Sequence, residues 1–345
     1  MDLRPSDEQQ LLVDSFAALY AKESPPERVR AAEPLGFDLR LWEELVGLGS
    51  LAMAVGEEHG GWGATSLDLA LVAQQHGRAL GSAPLIETQV ACRLLARATG
   101  DTAAGLLAEA LAGARLVTVA LRPPRADVAG LVPAGAVATD VVVLRRDRLL
   151  VVPTGDDRTV PENVGSMPLA DVPLSEEALA GGIEVAEGRS AAALLDGALD
   201  DWLLLTAAAL TGIAERAVEI GVTYAAERQA FGQKIGSFQA VGHRLADCAT
   251  RAAGADLLAR EAAWAVEEEP HRSAELAAMA FAFAAATARD ATDWSLHFHG
   301  GYGFMLEYDI QLYYRRARAW ANVVMSPAAA CRRVADRRYG PVGGR

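Results

Sequence analysis

The sequence predicts an α+β protein, two helical lobes flanking a small sheet lobe, and three observations predict it. Apolar residues recur at three- and four-residue spacing through residues 1–112 and again from 190 onward, the period of buried helix faces. Between these stretches the pattern changes to short β-rich runs punctuated by Pro, Gly and Asp. Those runs follow one another without intervening helices, unlike the alternation that builds a Rossmann unit. The expected division is an N-terminal α-helical domain at 1–112, a small middle β domain at 113–188 and a C-terminal four-helix bundle at 189–345.

Each element has its own signal. Ser6 precedes Asp7 and Glu8, an N-cap with acidic first-turn residues, and Leu11, Leu12, Phe16 and Leu19 then form one stripe. Trp42, Leu45 and Leu48 mark a second helix face. The glycines of GEEHGGWGATS (56–66) break the pattern before a helix at 67–80, which Pro84 closes; another helix is expected at 87–98. Trp62 in that loop suits either a ligand contact or plain packing. The runs 116–121 (LVTVAL), 141–144 (VVVL), 149–152 (LLVV) and 183–186 (IEVA) suggest a small antiparallel sheet. Leu210, Ile213, Ala217, Ile220 and Tyr224 then step along a long helix. Helices at 240–268 and 274–298 follow, separated by Pro270; Gly300, Gly301 and Gly303 end the second, and 310–320 begins the last segment.

Composition narrows the function classes. A formal charge of −13 argues against nucleic acid, whose phosphates need clustered Lys and Arg, but leaves room for a CoA ester bound by local basic residues. Three scattered cysteines offer neither a metal site nor a disulfide framework and are expected as buried thiols in a reducing cytoplasm. The N-terminus lacks a signal-peptide pattern, and no window reaches the roughly 20 apolar residues of a membrane span. The apolar stretch at 203–214 stops at Glu215 and Arg216. These features together predict a cytoplasmic protein without membrane or metal.

The most informative stretch is 224–247, YAAERQAFGQKIGSFQAVGHRLAD. An Arg-x-x-Phe-Gly turn interrupts the helical pattern, and Phe238-Gln239 opens the next helix. A cationic fork, a glycine and an amide where two helices meet suit an anionic, hydrogen-bonding ligand such as a dinucleotide pyrophosphate.

Three blocks, EEHGGWGATSLDLALVAQQHGRALGSAPLIET, ERQAFGQKIGSFQ and FHGGYGFMLEYDIQLYYRRAR, resemble in order and spacing the acyl-CoA dehydrogenase family of FAD enzymes. The resemblance runs over nearly the whole chain and implies the three-lobe fold already expected. It implies FAD at a subunit interface, with Arg228 on the pyrophosphate, Phe231 beside it, Gln239 hydrogen-bonding the cofactor, and Gly300 and Gly301 admitting it close to the backbone. Where the family often carries Gln before those glycines, this chain has His297. For Arg228 a surface salt bridge is the competing reading. The implied reaction removes two hydrogens from an acyl-CoA thioester: a carboxylate takes the α-proton and the β-hydrogen leaves as hydride to the flavin.

The expected carboxylate is missing from both family positions. In one, a Tyr-Glu-Gly motif follows Arg-Asp-Ala; reading Arg315-Arg316-Ala317 as that tripeptide puts Val324 in place of Glu. In the other, counting about 26 residues back from Arg228 reaches Trp202. Asp201 and Asp200 adjoin it, but one residue on a helix is a rotation of about 100°. Their bland reading is solvated carboxylates at a helix start. The sheet lobe also looks shortened, with ALRPPRADV (120–128) where a Thr-Glu-Pro-Gly-type flavin loop belongs and no Trp-Ile-Thr stretch.

The leading expectation is therefore one subunit of a heterotetrameric acyl-CoA dehydrogenase. It would resemble short actinobacterial-type members that pair with a longer paralogue and are associated with steroid side-chain CoA esters. Its catalytic residues remain unassigned, and electron-transferring flavoprotein is the implied acceptor. The alternatives are a self-sufficient homotetramer using Asp201, or a non-catalytic acyl-thioester-binding or scaffold protein.

Overall fold

A computed structural model describes residues 3–340. Six helices come first: α1 (Asp7–Glu23), α2 (Pro26–Ala32), α3 (Leu39–Gly47), α4 (Ser66–Arg78), α5 (Leu85–Arg97) and α6 (Asp101–Leu111). Strands β1 (Val117–Val119), β2 (Val128–Val132), β3 (Asp140–Arg145), β4 (Arg148–Pro153) and β5 (Ala170–Pro173) follow, then α7 (Glu176–Ala180) and β6 (Ile183–Glu187). The long helix α8 (Gly188–Glu227) leads to a hairpin of β7 (Gln229–Ala230) and β8 (Gln233–Lys234). Helices α9 (Gln239–Glu268), α10 (Pro270–His299), α11 (Ile310–Trp320) and α12 (Pro327–Tyr339) complete the chain. The residues form two compact units: one contains the chain up to Glu27, Ala70–Gly81 and everything from Leu203, the other Arg28–Leu69 and Ser82–Trp202.

In the second unit the sheet is mixed, which corrects the antiparallel expectation. Its order is β1-β3-β4-β6, and β1 pairs with β3 in parallel. The chain between them leaves the sheet to make β2, which pairs with β5 in a separate two-stranded ribbon, so β3 re-enters in the direction of β1. Neither β2 nor β5 was marked by the β-rich runs. Val141, Val143, Leu150 and Val152 point from the sheet onto Ala129, Val132, Ala170 and Val172 of the ribbon and form one core. Val142, Leu149 and Val151 on the other face are also buried, and α5 packs against β1 on this sheet. Burial on both faces is why β3 reads as an unbroken apolar run.

Helix ends follow the local chemistry. Ser6 accepts from the Gln9 amide while the Gln9 side chain accepts from the Ser6 amide, a capping box that starts α1. Pro84 does not close α4, as expected, but stands at the N-cap of α5, which begins two residues earlier than its stripe suggested. Pro270 occupies the first turn of α10, where its missing N–H costs nothing, so that helix starts before 274.

In the first unit, α4 and α8 cross at backbone contact. A Cβ on Gly77 would lie 1.9 Å from the Ala209 carbonyl oxygen, and one on Gly212 would lie 2.0 Å from that of Gln74. Alanines line the buried faces of α9 and α10, which lets these helices also approach closely. Cys92 and Cys248 are buried, but Cys331 is exposed, contrary to the expectation of three buried thiols. Among the described residues no helix is long and apolar enough to cross a membrane, and no group of His, Cys, Asp and Glu could hold a metal.

Candidate functional site

Arg228 follows the last residue of α8, its amide donating to the Tyr224 carbonyl at 2.8 Å. The chain then reverses in the β7–β8 hairpin, whose two-residue loop is Phe231-Gly232 at φ +52° and +79°. Positive φ at both loop positions is the signature of the tight turn that matches strand twist, and glycine serves it at the second position without strain. The Ile235 amide donates to the Arg228 carbonyl at 2.9 Å and closes the unit. Phe231, in the left-handed region, is 96% exposed, its ring edge-on to Phe238 with centroids 6.2 Å apart. Arg228 is exposed and makes no ion pair among the described residues; its guanidinium lies 5.9 Å from the Tyr302 ring centre. The competing reading of Arg228 as a salt-bridge residue is thus not what the side chain does.

Gln239 is the first residue of α9, exposed, and that helix start has no side-chain cap. The Gln239 side chain is exposed, and the Val241 and Gly242 amides of the first turn both donate to the Phe238 carbonyl at 2.9 Å.

Gly300 caps α10 at φ +60°, ψ −140°, a conformation essentially closed to residues with a Cβ. Gly301 is different. Its φ is not positive, and a Cβ there would meet nothing within 4 Å. Nothing inside this chain requires glycine at 301, so the bare backbone is open to a molecule from outside. His297 is exposed, its ring beside those of Trp294 and Phe298.

Aromatic rings bring these two segments together. Tyr224, one turn before Arg228, stacks on His299, the residue before Gly300, with centroids 3.9 Å apart. Tyr308 lies edge-on to both, and Tyr302 packs against Tyr308 at 5.8 Å. Arg228 and the Gly300-Gly301 turn therefore belong to one surface of the first unit. An apolar hollow of about 520 Å³ lies between the end of α8, the segment after the hairpin and α9, lined by Val222, Ala225, Leu245 and Ala246 among others. None of Arg228, Phe231, Gln239, Gly300 or Gly301 lines it.

Neither position expected for the base holds a free carboxylate. Val324 is buried. Asp201 is 7% exposed and sits well inside α8, not at a solvated helix start. Arg97 Nη1 reaches its Oδ2 at 2.6 Å, Arg93 Nε reaches the same oxygen at 3.3 Å, and Arg97 Nη2 lies 3.4 Å from Oδ1. Two carboxyl groups with altered acidity escaped sequence reading. Burial pushes Glu87 on α5 up to about 7. Burial and the nearby Asp256 carboxylate push Glu215 on α8 up to about 7, against Arg78 and the Gln74 amide, which donates to both carboxylates. The available signal was a Glu inside an apolar helical run. Trp62 stands beside Gly49, where a Cβ would lie 2.4 Å from its indole, which favours the packing reading of that loop. At Ala120–Val128 the chain makes a turn bridged between Arg125 and Val128, with Ala126 at φ +52°.

Comparison with known proteins identifies the family. The family profile described as "Acyl-CoA dehydrogenase, N-terminal domain" matches residues 6–113, and "Acyl-CoA dehydrogenase, C-terminal domain" matches 196–321. Acyl-CoA dehydrogenase IpdE2 of Mycobacterium tuberculosis is 32% identical over 340 residues, 96% of this chain and 98% of its own. IpdE2 of Mycolicibacterium smegmatis is 31% identical over 336 residues, 95% and 98%. The ChsE4-ChsE5 complex from Mycobacterium tuberculosis superposes with a TM-score of 0.87 at 26% identity, covering 99% of this chain and 100% of that one. A structure titled a Tcur3481-Tcur3483 steroid ACAD variant gives 0.84 at 26% identity, covering 96% and 98%. The chain belongs to the acyl-CoA dehydrogenase family, oxidoreductases that act on CH–CH bonds with FAD.

The residues present fit that cofactor on one side. A guanidinium without an ion pair among the described residues, an exposed carboxamide at a helix start and a glycine whose Cβ would meet nothing within 4 Å make a surface suited to a diphosphate and its nucleoside.

Proposed function

We propose that this chain is the base-lacking half of a heteromeric acyl-CoA dehydrogenase, completing an FAD site whose remainder belongs to a longer paralogue. One observation carries the proposal, a mismatch within the chain. The residues that the resemblance assigns to the cofactor are exposed, whereas Val324 stands where the resemblance expects the base and Asp201 is held by two arginines. FAD, when bound, accepts the β-hydrogen as hydride.

The chain's own residues bind and orient. Arg228 offers a permanent positive charge and a fork of N–H donors to a pyrophosphate. Gln239 offers an amide, Phe231 an apolar face, and Gly300-Gly301 an unobstructed backbone. None of these can accept an α-proton: a guanidinium stays protonated and a carboxamide is not a base. The base, the thioester-oxygen donors and the contacts to the flavin ring therefore fall to the partner. Asp201 as base would require pulling a buried carboxylate away from two arginines in every turnover, which disfavours a self-sufficient homotetramer.

For substrate we propose the CoA thioester of a bulky, steroid-derived acid. Likeness to the steroid acyl-CoA dehydrogenase structure and to the two-protein ChsE4-ChsE5 complex supports both that class and the heteromer. Electron-transferring flavoprotein is the proposed acceptor. Assaying dehydrogenation of a steroid-derived CoA ester with a dye acceptor tests the assignment. Turnover by the co-purified pair, with none by either chain alone, supports it. Turnover by this chain alone contradicts it, and a pair that binds the thioester without turnover points to a non-catalytic binding protein.

A further inference from the structure

The two pieces of the candidate cofactor surface come from elements far apart in sequence, and each is held by a residue belonging to the other. Arg228 lies against Tyr302, two residues beyond Gly300; His299, which precedes Gly300, stacks at 3.9 Å on Tyr224, whose carbonyl accepts the Arg228 amide. Tyr308 closes the ring of contacts, edge-on to Tyr224 and His299 and beside Tyr302. The imidazole is fixed in turn by its own helix: Nδ1 donates to the Ser295 carbonyl at 2.7 Å, which leaves the lone pair on Nε2. Ser295 Oγ donates to the Ala217 carbonyl of α8 at 2.6 Å, a second tie between α8 and α10 one turn away.

We infer that Tyr224, His299, Tyr308 and Tyr302 form an aromatic brace that sets the spacing between the Arg228 guanidinium and the Gly300-Gly301 backbone before any cofactor arrives. These are positioning residues, acting through Arg228 and the glycine turn. Without the brace, an exposed arginine at the end of a 40-residue helix would sample many rotamers, and binding would have to order it. A stacked pair of rings and a cation–π contact remove that cost in advance. The inference rests on the proposed role of this surface in FAD binding, and its test separates the two.

The test measures FAD affinity of the full chain co-purified with its longer paralogue, by flavin fluorescence on dilution. Arg228→Ala is expected to weaken binding at least tenfold; unchanged affinity would remove the surface from FAD binding and the brace with it. Tyr302→Leu, at a half-exposed ring, is expected to leave the unfolding temperature nearly unchanged and to weaken binding about five- to tenfold. It should have no further effect in the Arg228→Ala background, because it acts through that arginine. His299→Leu is expected to weaken binding about tenfold, and His299→Phe, which keeps a stacking ring, to restore most of it. If Arg228→Ala weakens binding but Tyr302→Leu costs the same in both backgrounds, or His299→Leu costs nothing, the surface stands and the brace is wrong.

Discussion

Arg97 reaches Asp201 at 2.6 Å, and Arg93 reaches the same carboxylate oxygen at 3.3 Å. The acidic residue best placed by sequence to serve as a base is therefore itself buried and held between two cations, Arg93 largely buried and Arg97 exposed. Asp201→Asn is expected to destabilise the fold by about 2–4 kcal/mol, because it leaves two guanidinium groups without their counter-charge. Turnover of the co-purified pair below its unfolding temperature should be retained within about twofold, since a structural ion pair contributes nothing to the chemical step. Thermal unfolding and steady-state rates on the same preparation check both halves.

Glu215 gives a pH signature. Its carboxyl is pushed up to about 7 by burial and by Asp256, so the unfolded chain ionises it first and ionisation penalises the folded state. Stability from this group is full below its unfolded value near 4.5 and is lost as pH rises to about 7. Glu215→Gln removes the penalty while keeping an acceptor for the Gln74 amide. Its stability relative to wild type should climb between pH 5 and pH 8, reaching about 1–3 kcal/mol in favour of the variant, read by thermal unfolding at each pH. A constant difference across that range would show that the group is not held neutral.

The adjacent glycines should respond oppositely. Gly300→Ala forces a Cβ into φ +60°, ψ −140° and is expected to cost about 1–3 kcal/mol of stability. Gly301→Ala meets open space at ordinary φ, so stability should hold or rise slightly while FAD affinity of the pair falls. Calorimetry and flavin titration of both variants separate backbone strain from ligand approach.

Phe231 combines an unfavourable backbone region with near-complete exposure. Phe231→Asn, a residue that tolerates φ near +50°, is expected to raise the stability of the isolated chain by about 1 kcal/mol. The same change should weaken association with the paralogue, read by sedimentation of the mixed chains. Stabilisation without any loss of association would mean the phenyl ring serves neither partner nor cofactor.

Much of this was legible in the sequence, for identifiable reasons. Helices announce themselves locally, through the Ser6 capping box or the stripe from Leu210 to Tyr224, and the Arg-x-x-Phe-Gly turn is legible because a hairpin needs its glycine. The pairing of β1 with β3 was not legible, since it depends on where β2 goes. Strand β2 itself is masked by Gly130 and by Leu131 at φ +49°. Asp201 looked solvated because its neutralising arginines lie about a hundred positions away on α5. Glu87 and Glu215 stand in apolar helical runs, but only the packing around them shows that their affinity for a proton is raised.

The flavin spectrum tests the central claim most directly. Visible absorbance should be recorded for the chain purified alone, and again after co-expression with its longer paralogue. A shared site predicts almost no flavin on the isolated chain and about one FAD for each pair of unlike subunits, since only the partner supplies the ring contacts. Stoichiometric FAD on the isolated chain would contradict the account, because it would require a complete site within a protein that lacks a free carboxylate at either expected position.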